Sequence, residues 1–168
     1  MKALHLLPAA LFAATLCSAK EAAPPPDDRP RIQVALLLDT SGSMDGLIDQ
    51  AKTRLWNLVN QFINAKRDGK APRLELALYE YGNDSLPAAG GHVRKILGLT
   101  EDLDKVSEAL FALKTNGGSE YCAWVIGDSL EQISWSADNR DLKTIFIAGN
   151  EPFDQGPKPY AKACEAAV

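Results

Sequence analysis

Basic charge, histidine and cysteine are all scarce in this sequence of 168 residues. Lysine and arginine number 18 against 22 acidic residues, so the net charge of −4 provides no basic surface for nucleic acid. The three cysteines and two histidines do not form a zinc-binding pattern. Beyond the N-terminus, no apolar run is long enough to span a bilayer.

Signatures of several enzyme classes are also missing. Neither the nucleophile elbow GxSxG nor the phosphate loop GxxxxGK[ST] occurs. His92 is the one histidine outside the N-terminal segment, and a surface position on a strand accounts for it better than a role as catalytic base. These absences argue against the enzyme classes that depend on those motifs.

The N-terminal segment has the pattern of an export signal. Lys2 precedes the apolar stretch ALHLLPAALFAATLC, and the small residues that follow fit cleavage after Ala19, with Ala23 as a second option. Residues 1–19 are therefore predicted to be a signal peptide, and 20–30, rich in proline and acid, a linker. The mature chain would be secreted or periplasmic, without membrane insertion; a retained anchor is the alternative.

Export changes how the cysteines are interpreted. Leu16 is bulky where a lipid-anchored Cys17 would need a small neighbour, so lipidation is not expected. If Cys17 leaves with the signal, Cys122 and Cys164 remain in an oxidising compartment. They are predicted either to form a disulfide or to act as two buried thiols.

Apolar periodicity predicts one α/β domain over residues 31–168. The segments RIQVALLLD, RLELALYEYG, HVRKILGL and LKTIFIAGN predict strands, and the first helix is predicted to start with Asp45 as its cap and to end at Gly69. The order β-α-β-β-α-α-β-α predicts a Rossmann-like open, mostly parallel sheet with helices on both faces. Because the apolar fourth strand would form an uncovered edge, we expect the last strands to be missing.

The first predicted strand runs directly into a group of oxygen-bearing side chains, in VALLLDTSGSMDG. Ligand sites of open α/β sheets lie beyond the carboxyl ends of the strands, where Asp39, Ser41 and Ser43 are placed. A carboxylate and two hydroxyls suit Mg²⁺, Mn²⁺ or Ca²⁺. The same residue types also cap helices, and the segment alone favours neither interpretation.

The sequence LLLDTSGSM resembles the opening of a von Willebrand factor A (VWA) domain, whose Asp-x-Ser-x-Ser motif forms a metal-ion-dependent adhesion site. TNGGSE resembles the second metal loop of that family, and IFIAGNEPF its fourth strand and third loop. The resemblance covers residues 31–168. It implies metal ligation by Asp39, Ser41, Ser43 and Ser119, with Mg²⁺ as the first choice of ion and a carboxylate of a protein ligand as partner.

The third loop departs from the family pattern. Gly149 stands where the family commonly has an aspartate, with Asn150 and Glu151 beside it. The loss of a carboxylate should lower affinity or change the preferred ion. Glu151 is a candidate for reaching the ion through a water, and the loop 150–153 is a candidate for contact with the partner.

These observations indicate three candidate functions. The first is an exported VWA-like domain that binds an acidic protein ligand through a divalent cation. The second is a metal-independent interaction scaffold of the same fold. The third is a Mg²⁺-dependent phosphoryl hydrolase with Asp39 as its nucleophile. Enzymes of that kind resemble one another in having a second aspartate two residues later, and Ser41 at that position argues against this function.

Overall fold

The computed structural model describes residues 27, 29–66 and 69–168. The predicted signal peptide, residues 1–19, lies outside the described residues, as does nearly all of the predicted linker at 20–30. Within the described part of the chain, no helix is both long enough and apolar enough to cross a membrane.

In the described part of the chain, four strands and four α-helices follow one another in the predicted order. The strands are β1 (Arg31–Asp39), β2 (Arg73–Tyr81), β3 (Val93–Thr100) and β4 (Leu142–Ala148). The helices are α1 (Ile48–Asn64), α2 (Leu103–Ala112), α3 (Cys122–Gln132) and α4 (Tyr160–Ala166). Each strand begins at or next to its predicted first residue, because continuous apolar runs mark buried strands clearly.

The strands form one open sheet in the order β3-β2-β1-β4. Strand β1 pairs in parallel with β2 on one side and with β4 on the other, whereas β3 runs antiparallel to β2. Every residue of β1 after Arg31 is buried, as expected for a central strand that is covered on both faces. The carboxyl ends of β1, β2 and β4 therefore meet at one edge of the sheet.

Helices cover both faces of the sheet, as predicted. Side chains of β1 alternate between the two faces, so Leu36 lies in one apolar layer and Leu37 in the other. The first layer is completed by α1 and α2, and the second by α3 with the tyrosines of β2. The main buried residues of these helices and tyrosines are, in the first layer, Leu55, Val59, Val106 and Leu110, and in the second, Tyr79, Tyr81, Cys122 and Val125.

The predicted bounds of the first helix were wrong at both ends. Helix α1 begins after Leu47, which has no capping side chain, and it ends at Asn64, before Gly69. Asp45 lies in the turn ahead of the helix, where its carboxylate accepts a hydrogen bond from the Thr115 hydroxyl. This carboxylate connects two loops and does not cap the helix.

The predicted disulfide is not formed in the structure. Cys122 and Cys164 are both free thiols; Cys122 is buried in α3, whereas Cys164 is exposed on α4. The alternative of two buried thiols therefore holds only for Cys122. Its Sγ lies 3.6 Å from the Tyr81 hydroxyl, inside the second apolar layer.

Strand β4 is an edge of the described sheet, although its apolar sequence is typical of a covered strand. It pairs with β1 alone, and its first residue, Leu142, is 47% exposed. Apolar side chains at an unpaired edge are unusual, because such an edge can pair with another chain.

The two-layer arrangement predicts the effect of truncating the central strand. Leu36→Ala should lower the free energy of unfolding by about 2–5 kcal/mol, because it leaves a cavity beside α1 in a fully buried position. Urea unfolding followed by circular dichroism measures this loss. Leu47→Ala, at a position 45% exposed, is the control and should change stability by less than about 0.5 kcal/mol. Equal losses would contradict the assignment of this core.

Candidate metal centre

The loop after β1 is folded around the Asp39 carboxylate. Asp39 is completely buried at the last position of the strand, and its Oδ1 accepts the backbone N–H of Ser41 at 2.8 Å. This local hydrogen bond turns the chain so that the hydroxyls of Ser41 and Ser43 lie 2.9 Å apart. The alternate spacing of the three residues thus brings their oxygens together, as the sequence predicted.

A second loop, carrying Ser119, lies against the first. The N–H of Gly42 donates to the carbonyl of Gly117, and Ser119 pairs with Gly82 in an isolated antiparallel bridge. These backbone contacts bring the loop beside the end of β1. Within the described residues the Ser119 hydroxyl has no hydrogen-bond partner, so it is free to bind a ligand.

Gly82 is the residue that allows this close approach. Its φ of +79° favours glycine, and a Cβ built on it would lie 2.8 Å from Asp39 Oδ1 and 3.1 Å from Glu120 Cγ. The same Cβ would lie 3.4 Å from Ser41 Cβ. Side chains of the first and second loops therefore surround one small volume next to Gly82.

The third loop, after β4, reaches the first through Asn150. The Ser43 hydroxyl donates to Asn150 Oδ1 at 3.0 Å, and Asn150 Nδ2 lies 3.4 Å from the Ser43 carbonyl. Gly149 packs closely on Asp39, since a Cβ there would lie 3.1 Å from Asp39 Oδ2. Position 149 therefore contributes no carboxylate, and the neighbouring Asn150 contributes an amide oxygen. Glu151, half-buried, makes no hydrogen bond or ion pair with the described residues.

Asp39 is poorly compensated for its burial. Burial raises the pKa of this carboxyl above its ordinary value, while hydrogen bonding from Ser41 opposes the rise and the nearby Glu120 charge adds to it. The backbone amide of Asn150 also acts to lower the pKa of Asp39, but it does not form a hydrogen bond with Asp39 Oδ2. Asp39 Oδ2 is buried with no hydrogen-bond partner among the described residues.

The structure also brings together residues to which the sequence assigned no metal role. Glu120 follows Ser119 directly, is only 4% exposed and lies beside Asp39 and Ser41, while Asn150 hydrogen-bonds Ser43. Its position inside a loop already assigned to the site is the signal by which Glu120 could have been found. Nothing in the sequence showed whether that side chain faces inward.

The donor set decides which ions fit. Carboxylate, hydroxyl and amide oxygens are hard ligands that suit Mg²⁺, Mn²⁺ or Ca²⁺. No group of three or more histidine, cysteine, aspartate or glutamate residues arranged to hold a metal occurs in the described part of the chain. The residues at the end of β1 therefore fit a hard divalent cation, which would also satisfy the unpartnered Asp39 Oδ2.

Solved structures share this arrangement of strands and helices. The SpRpn10 VWA domain is 15% identical over 75% of this chain and 63% of its own, with a TM-score of 0.53. This chain has the von Willebrand factor A fold. The pilus adhesin SpaC from Lactobacillus rhamnosus GG is 14% identical over 72% of this chain and 15% of its own, with a TM-score of 0.54. Proximal thread matrix protein 1 from the mussel byssus matches at 12% identity over 71% of this chain and 28% of its own, with a TM-score of 0.50.

The similarity to the VWA fold is structural. No protein-family model matches the chain, and no curated protein matches it. The chain spans less than two thirds of the length of each of these solved structures.

The close approach at Gly82 predicts that alanine substitutions at Gly82 and Gly46 lower the stability of the protein by different amounts. Gly82→Ala should destabilise the protein more than Gly46→Ala, although both glycines have similar positive φ, +79° and +81°. A Cβ at 46 meets nothing within 4 Å, so that variant measures backbone strain alone, about 1 kcal/mol. Thermal unfolding in the presence of chelator compares the two, and equal losses would show that Gly82 is not pressed against Asp39.

Proposed function

We propose that this VWA domain binds a divalent cation at the carboxyl end of β1 and uses it to engage a carboxylate of a protein ligand. Asp39, Ser41, Ser43 and Ser119 would hold the ion, with Mg²⁺ as the first choice and Mn²⁺ or Ca²⁺ as alternatives. When bound, the cation supplies the positive charge that attracts an acidic side chain. The domain would act by binding and not as an enzyme.

The observation that carries the proposal is the unpartnered, fully buried Asp39 Oδ2. A buried carboxylate that lacks a counter-charge costs several kcal/mol, and such groups are normally paired or bound to a metal. The hydroxyls of Ser41 and Ser43, in the loop that follows Asp39, lie 2.9 Å apart. Each hydroxyl oxygen carries two lone pairs, so it can bind an ion. A cation at this point would compensate the Asp39 charge.

The residues supply different parts of the binding. Ser41, Ser43 and Ser119 would contribute hydroxyl oxygens directly, and Asp39 would act in part through water. Because the protein ligands are few, coordination positions remain for water and for one oxygen of a partner. In a partly dry crevice, the attraction between the bound ion and a partner carboxylate would be strong and strictly dependent on metal.

The setting of the domain supports a role in attachment. SpaC, a structure of the same fold, is a pilus adhesin, and the N-terminal pattern of this chain indicates export. We therefore place the mature protein outside the cytoplasm, secreted or periplasmic, where it would bind a protein partner.

A metal-independent scaffold of the same fold is the second candidate. The contact between Ser43 and Asn150 favours it, because this hydrogen bond joins the first and third loops without an ion. Partner binding that persists in chelator would support the scaffold.

Metal binding can be tested by thermal unfolding in Mg²⁺, Mn²⁺ or Ca²⁺. At about a hundredfold excess over the dissociation constant, an ion that binds only the folded protein should add about 2.7 kcal/mol of stability. The rise in melting temperature should disappear in chelator and in Ser41→Ala. Ser134→Ala, at an exposed position with no described side-chain contact, is the control and should respond like the native protein. A native protein that unfolds cooperatively without any response would favour the scaffold.

Neutralising Asp39 should have opposite effects with and without metal. Asp39→Asn keeps an oxygen for the Ser41 N–H but removes the buried charge, so in chelator the variant should be more stable than the native protein, by roughly 1–3 kcal/mol. It should also lose the stabilisation by metal. Chemical unfolding in chelator and in saturating Mg²⁺ measures both effects. A less stable variant in chelator would mean that the Asp39 charge is already compensated within the protein.

A further inference from the structure

We propose that Glu120 supplies the second carboxylate of the metal site, in place of the aspartate that the third loop lacks. This inference rests on the proposed binding of a cation beside Asp39. It assigns a ligand that differs from the four residues proposed above.

The third loop has no space for an acidic side chain at position 149. A Cβ on Gly149 would overlap the Tyr81 hydroxyl and lie 3.1 Å from Asp39 Oδ2. Tyr81 cannot easily move away, because it is 1% exposed and packs in the second apolar layer, where the thiol of Cys122 lies 3.6 Å from its hydroxyl. An aspartate at 149 would require this part of the core to rearrange.

Glu120 lies on the opposite side of Asp39 from Gly149's loop, next to Gly82. The position of a Cβ on Gly82 is 3.1 Å from Glu120 Cγ, 2.8 Å from Asp39 Oδ1 and 3.4 Å from Ser41 Cβ. One small volume is therefore bordered by Glu120 and by two of the proposed ligands. The short backbone bridge between Gly82 and Ser119 keeps the Glu120 segment in this place.

Glu120 differs from the other buried glutamates in having no partner. Among the described residues three glutamates are buried. Glu75 binds Arg73 at 2.8 Å and accepts a hydrogen bond from Gln33 at 2.6 Å, and Glu80 binds Arg94 at 2.5 Å. The Glu120 carboxylate has neither a hydrogen bond nor an ion pair with the described residues. Its oxygens are not among the buried unpartnered atoms of the described residues, so they remain open to solvent or to an ion.

The charges of Glu120 and Asp39 act on the same region. The Glu120 charge adds to the effect of burial in raising the pKa values of Asp39, Tyr81 and Cys122. Two carboxylates close together repel each other unless a counter-charge lies between them. A divalent cation held by both would turn this repulsion into attraction and replace the carboxylate absent at 149.

The test compares Glu120→Gln with Glu151→Gln, since each removes one negative charge at the same end of the sheet. Isothermal titration of the whole protein with Mg²⁺ and Mn²⁺ measures affinity. Glu120→Gln should weaken binding by at least about tenfold, as loss of a carboxylate at a metal site does, whereas Glu151→Gln should stay within about twofold of the native value. Glu120→Asp, which keeps the charge on a shorter side chain, should recover part of the loss.

A second measurement does not depend on metal. In chelator, Glu120→Gln should melt at the same temperature as the native protein or higher, because the repulsion between the Glu120 and Asp39 charges has been removed. A lower melting temperature there would show that Glu120 has a structural partner and overturn the inference.

The outcomes separate this inference from the proposed function. Native-like affinity in Glu120→Gln would overturn the role of Glu120 while leaving cation binding by the serines intact. Weakening in Glu151→Gln alone would assign the second carboxylate to Glu151 instead. A native protein that binds neither ion would overturn both proposals.

Discussion

The burial of the Asp39 carboxylate at the end of the central strand is the constraint on which this end of the molecule depends. Strand β1 is covered on both faces, so its last residue is carried into the interior with the apolar residues before it. The chain compensates part of the charge by hydrogen bonding from Ser41, and this bond shapes the first loop. One oxygen is left without a partner, and the proposed function follows from that atom.

The neighbouring loops are arranged around the same carboxylate. Gly82 and Gly149 both lie where a side chain would collide with or crowd Asp39, so the ends of β2 and β4 can approach only because these residues are small. Backbone bonding between Gly42 and Gly117 brings the second loop to the same place. Close approach of backbone, and not an abundance of acidic residues, is what forms this crevice. A buried site that collects few charges depends strongly on each one.

The order of strands and helices was predictable, because apolar periodicity reports burial directly. Continuous apolar runs predicted that β1 and β4 begin at Arg31 and Leu142, as the structure shows. Helix ends were less predictable. Asp45 has the right type and place for a cap, but its carboxylate contacts Thr115, which is distant in sequence. Local propensity could not anticipate that contact.

The same division holds for the candidate site. The convergence of Asp39, Ser41 and Ser43 was predictable from residue order, because alternate spacing after a buried strand brings them together within one short loop. Their assignment to a metal site came from the resemblance to the VWA family. The inward position of Glu120, the contact of Asn150 with Ser43 and the separation of the two cysteines depend on how segments far apart in the chain meet. Strand pairing and the packing of α3 and the third loop determine those meetings. They are properties of the folded sheet, and no local pattern of residues encodes them.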